Sequence, residues 1–77
     1  MHVWKTGEPT RITYEGRTVA GRVILASGNG RSLMLEFEAL LGGYAGTMPV
    51  LWDDTGATFR DLICGLAVTL DRLDPRS

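Results

Sequence analysis

The sequence predicts an all-β domain, a small antiparallel barrel of five or six strands. Three observations carry that expectation. Apolar and polar residues alternate with a period of two in several short stretches, as half-buried strands require. Ten glycines in 77 residues favour turns over long helices. Turn signals recur at roughly the 8–12-residue spacing of small all-β folds.

The elements follow in order. "MHVWKTGE" (1–8) is a lead-in, and Pro9 suits the start of a strand because it has no N–H to pair. "TRITY" alternates, with Ile12 and Tyr14 on one face. Glu15-Gly16 is a turn. "RTVAGRVILAS" is a long strand that sets Val19, Gly21, Val23 and Leu25 on one face, and Gly21 predicts a bend or bulge within it. Asn29-Gly30 in "SGNGRS" is the strongest hairpin signal in the chain, because both residues tolerate positive φ. "SLMLEFE" then turns Leu33, Leu35 and Phe37 inward and Met34 outward.

Phe37, Leu40 and Leu41 have helical spacing, which allows one short helical turn near 37–41 that Gly42-Gly43 would then end. "TMPVLW" is a strand with Met48, Val50 and Trp52 on one side, and Pro49 assigns it to an edge or a bulge. "DDTG" is a turn. "ATFRDLI" fits a strand carrying Phe59 and Ile63 on one face, or a short helix; the strand is preferred. "LAVTLDRL" closes the set with Leu66, Val68 and Leu70 together, and 74–77 form a frayed tail. No internal repeat or linker divides the chain, so 1–77 is one domain. In so short a chain, rolling the sheet into an SH3-like barrel hides its edges around one core.

Composition narrows the function classes. At 44% hydrophobic and 22% charged, the chain has the content of a folded domain rather than a disordered one. The formal net charge of −1 lacks the basic excess typical of nucleic-acid binders. The lone Cys64 has no internal disulfide partner and reads as a small buried hydrophobe. No signal-peptide pattern or membrane-length apolar run is present, so a soluble cytoplasmic protein is expected. Paired Cys or His residues for zinc are lacking, and "GNGRSL" lacks the third glycine and the helix of a dinucleotide loop. Asp53, Asp54 and Asp61 lack the ordered spacing of a calcium loop and read as solvated turn carboxylates. No cofactor or metal is expected.

Three features remain as candidate sites. Asp54-Thr55-Gly56-Ala57, after the apolar "MPVLW", resembles the active-site motif of retroviral-type aspartic proteases. That resemblance implies a dimeric hydrolase with Asp54 as one of two carboxylates sharing a proton. The family also needs a flap hairpin and a later apolar-apolar-Gly segment, and 21 residues follow Gly56 here; "LICG" comes too soon. The turn reading is preferred, with no catalytic residue assigned. Second, Arg11, Arg17, Arg22 and Arg31 fall on or beside the first three strands and could hold a phosphate or carboxylate. In the same region, "GRVILASGNG" (21–30) resembles part of the PilZ cyclic-dinucleotide-binding barrels, whose strand ends in Asp-x-Ser-x-x-Gly. Ser27 and Gly30 match, Leu25 stands at the acidic position, and Arg11 and Arg17 lie nearby without the family's arrangement. The resemblance implies a β-barrel, with anion, cyclic-dinucleotide or nucleic-acid binding as the alternative function.

The preferred site is the third. "LLGGYAGTMPVLW" gathers Leu40, Leu41, Tyr44, Met48, Leu51 and Trp52, and both faces of "MPVLW" are apolar. A strand covered on one side should alternate with polar residues. The excess predicts an interface: a non-enzymatic interaction module that associates with itself, or with a protein partner, through 40–52.

Overall fold

The computed structural model describes residues 2–73, and the tail expected at 74–77 lies outside them. Six strands form: β1 (Pro9–Tyr14), β2 (Arg17–Ala26), β3 (Ser32–Leu41), β4 (Tyr44–Asp53), β5 (Thr58–Asp61) and β6 (Ala67–Arg72). Each pairs antiparallel with the next, and β6 returns to β1, so the sheet closes into an up-and-down barrel. Inward residues from successive strands fill it, with Ile12, Val23, Leu35, Met48, Val50 and Val68 fully buried.

The hairpin turns explain why neighbours in sequence are neighbours in the sheet. Glu15 (φ 50°) and Gly16 (φ 79°) make a two-residue turn between Tyr14 and Arg17. Positive φ at both positions gives the turn the twist of the strands it joins. Gly42, at φ 59°, opens a second two-residue turn between Leu41 and Tyr44. The helical turn that the spacing allows at 37–41 is therefore absent. Those residues complete β3, and Gly42-Gly43 reverses the chain instead of capping a helix. The Asn29-Gly30 hairpin forms over a longer loop, in which only Gly30 is left-handed. Asn29 acts through its side chain, whose Oδ1 accepts from Ser27 Oγ (2.8 Å) and Arg31 N (3.0 Å).

Two irregularities redirect side chains. Val23 pairs with Leu35, but Leu25 pairs with Met34, so Ile24 is an extra residue in β2. Such a bulge reverses the alternation beyond it, and Leu25 faces outward rather than inward as its spacing predicted. Gly21 is not the bulge. A side chain there would collide with the Glu36 carbonyl and come within 2.8 Å of Ile12 Cδ1, so glycine lets β1, β2 and β3 curl tightly. The second irregularity lies between Glu36 and Leu40, where β3 outruns β4.

Pro49 is neither on an edge nor in a bulge, because β4 is paired on both sides. Its carbonyl accepts from Leu62 N–H, just past the end of β5. A residue's N and C=O point to the same side of a strand, so the donor that proline lacks faces a place where no strand continues. The lead-in also differs from expectation. Gly7 N donates to Val23 O, Val23 N donates to Glu8 O, and Trp4 is buried against the core. A single buried indole has no periodicity to reveal it.

Candidate interaction surface

The Asp-Thr-Gly turn lies between β4 and β5, at the end of the barrel that Trp4 closes. Asp53 Oδ1 accepts from Thr55 N (3.0 Å), and its Oδ2 accepts from Arg60 Nε (2.7 Å). Asp54 accepts from Arg31 Nη1 (2.8 Å) and Trp52 Nε1 (2.7 Å). The Arg60 bond holds the Asp53 carboxyl below its ordinary value, and the Arg31 bond followed by the indole does so for Asp54. Asp53 thus ties its turn to β5, and Asp54 ties the same turn to the loop between β2 and β3. Ala57 takes φ 52° to complete the turn.

Asp61 is not a solvated turn carboxylate. It is 2% exposed and sits at the opposite end of the barrel. Its Oδ2 accepts from Tyr44 OH (2.6 Å) and Cys64 N (2.7 Å), and its Oδ1 accepts from Leu66 N (2.7 Å). Burial works to raise its pKa, but those bonds, with a smaller contribution from the Tyr14 phenol, outweigh it and keep the carboxyl below its ordinary value. Burial, reinforced by Asp61, pushes both phenols up. The cage fixes the 62–66 loop: its amides turn inward, and Leu62, Ile63 and Cys64 are left exposed. Cys64 is thus not a buried hydrophobe, and Ile63 does not share the face of Phe59. Among the described residues, no group of acidic, His or Cys side chains could hold a metal ion, and no helix is long and apolar enough to cross a membrane.

The segment expected to form an interface divides in two. Leu41, Tyr44 and Met48 point into the barrel and belong to its own core. Leu40 and Leu51 are exposed, and Trp52 is half-buried against Phe59, with ring centroids 5.1 Å apart. The barrel therefore absorbs half of the apolar excess. What remains outside is arranged by register. Leu25 in β2 pairs with Met34 in β3, Met34 pairs with Pro49 in β4, and the Pro49 carbonyl accepts from Leu62 beyond β5. All four lie on the outer surface, with Leu51 two residues beyond Pro49 on the same face. Leu25 is 63%, Leu51 48% and Leu62 59% exposed. An apolar stripe thus crosses three adjacent strands and runs into the loop after β5. Leu40 lies six residues along β3 from Met34, roughly 20 Å away at strand rise.

The four arginines do not converge. Arg11 and Arg22 are diagonal neighbours on the outside of β1 and β2, but each has an acidic cross-strand partner, Asp71 and Glu36. Arg17 donates to Leu40 O (2.6 Å) at one end of the barrel, and Arg31 is tied to Asp54 at the other.

Sequence reasoning found Leu51 and placed Met34 outside. It missed Leu25 because the bulge at Ile24 is invisible to alternation, and Leu62 because that residue joins the stripe only through the Pro49 carbonyl, past the end of β5. These features define a small six-stranded antiparallel β-barrel with exposed apolar residues. No family model, curated protein or solved structure matches the chain.

Proposed function

We propose that this barrel is a non-enzymatic interaction module that associates with a second copy of itself through the outer stripe Leu25–Met34–Pro49–Leu51–Leu62. The carrying observation is the stripe's continuity: the cross-strand partners Leu25, Met34 and Pro49 on three strands are all apolar on a face that water should cover, and Leu51 extends the stripe along β4 between Ser32 and Arg60. Such a face on a small domain marks an interaction site. Its flanks suit an identical partner. Glu36 stands opposite Arg22 on one side, and Asp53 binds Arg60 on the other, so two copies would meet without like-charge repulsion.

Sedimentation equilibrium over a wide concentration range tests this. The wild-type chain is expected to show a concentration-dependent dimer. Leu51→Asp, and separately Leu25→Asp, should remain monomeric with unchanged far-ultraviolet circular dichroism. Leu40→Asp, outside the stripe, should dimerise normally. A wild-type chain that stays monomeric throughout, or a dimer that ignores both stripe variants, refutes the reading.

A further inference from the structure

A second surface, independent of the stripe, lies where the barrel closes. The β5–β6 seam has only two residue pairs, Phe59↔Val68 and Arg60↔Ala67, although β6 continues to Arg72. Successive residues of an antiparallel strand send their N–H and C=O to alternate sides. Asp61 N donates to Leu66 O, so the even-numbered residues of this stretch face β5. Thr10 Oγ1 donates to Asp71 O, so the odd-numbered ones face β1. Leu70 and Arg72 must then direct their main-chain groups toward the β5 side. Residue 57 would stand opposite Leu70 if the ladder continued, but Ala57 has left the strand at φ 52°. Among the described residues, no group hydrogen-bonds the N–H or C=O of Leu70 or Arg72 on that side.

The space beside this edge is a groove of about 480 Å³, within the size range of ligand sites. Its apolar walls are Trp4, Trp52, Phe59 and Leu70. Arg31 and Arg72 stand at its rim. Arg31 is neutralised by Asp54, whereas Arg72 has no ion-pair partner among the described residues.

We infer that this open seam binds an extended peptide segment of a partner protein, added as a short strand along β6. Donors and acceptors on Leu70 and Arg72 repeat at the two-residue period of a strand, about 7 Å, which another strand matches. The aromatic walls take one large apolar side chain of that peptide. A carboxylate two residues away on the peptide meets Arg72.

The test uses the full chain and a displayed library of random heptapeptides. Panning should enrich sequences with a large apolar residue two positions from Asp or Glu. A synthetic copy of an enriched peptide, titrated into ¹⁵N-labelled protein, should shift the Leu70 and Arg72 amides and slow their hydrogen exchange at least tenfold. N-methylation at alternate peptide residues, in the register that removes the paired donors, should weaken binding at least tenfold. Arg72→Pro deletes a groove-facing donor that β1 does not use, and it should do the same in a protein whose amide dispersion is otherwise unchanged. Leu51→Asp should leave peptide binding intact, which separates this site from self-association. The inference is overturned if no sequence is enriched, if the shifts fall on Leu25, Met34 and Leu51, if peptides methylated in either register bind as well as the parent, or if the Leu70 and Arg72 amides are already protected in the free protein.

Discussion

Asp61 is the residue on which one end of the barrel depends. A carboxylate taken out of water is costly unless its lone pairs are filled, and here Tyr44 OH and the Cys64 and Leu66 N–H groups fill them. Asp61→Asn keeps the shape but sets an amide NH₂ against inward-pointing donors. The expected loss is about 1.5–3 kcal/mol, the range for hydrogen bonds to a charged group, read from urea denaturation at neutral pH. The pH dependence has a definite sign. The folded-state pKa lies below the ordinary 3.8, so the stabilisation is fully present above about that value and is lost as pH falls through the folded pKa. Asp53 and Asp54 are depressed in the same direction, so the difference between wild type and Asp61→Asn isolates the buried group. That difference should narrow below about pH 4. A gap that persists unchanged into strong acid would show that charge at Asp61 is not what matters.

Among the elements, β2 shows what was legible in the sequence and what was not. Its start, its glycine and its hairpin to β3 were readable, because turn chemistry and alternation are local. The role of Gly21 was half readable: a mid-strand glycine signals close approach or a bulge, and only the fold shows which. The Glu36 carbonyl and Ile12 Cδ1 occupy the space a Cβ would need. Gly21→Ala should therefore destabilise by about 1–3 kcal/mol, the usual cost of overpacking. A thermal midpoint equal to the wild type would mean that β2 and β3 can separate at no cost. The bulge at Ile24 left no trace in the sequence, and it alone turns Leu25 from core to surface. Helical spacing at Phe37, Leu40 and Leu41 was equally misleading, since three apolar residues before a Gly-Gly pair fit a strand entering a tight turn. For the candidate site, Leu51 was visible in the sequence and Leu25 and Leu62 were not. The partners of Asp61 were hidden for another reason. Tyr44 and Tyr14 lie 17 and 47 positions away, and only closure of the sheet brings them together.

For the whole molecule, closure is uneven, and that decides where it should open first. Six register pairs join β1 to β2 and five join β1 to β6, against two between β5 and β6. Local opening follows the least-paired elements. The Val68 amide lies on the short seam opposite Phe59, whereas Leu35 in β3 is fully buried and paired to Val23 in β2 and to Met48 in β4. In native-state hydrogen exchange, Val68 should exchange through a sub-global opening that costs less than global unfolding, while Leu35 exchanges only with the whole barrel. The Asp61 cage anchors the loop that ties β5 to β6, so Asp61→Asn should accelerate Val68 further than its effect on global stability explains. Equal exchange free energies at the two sites would make the barrel a single cooperative unit. The edge of Leu70 and Arg72 would then be a fixed feature of a rigid wall rather than the margin of a seam that can part.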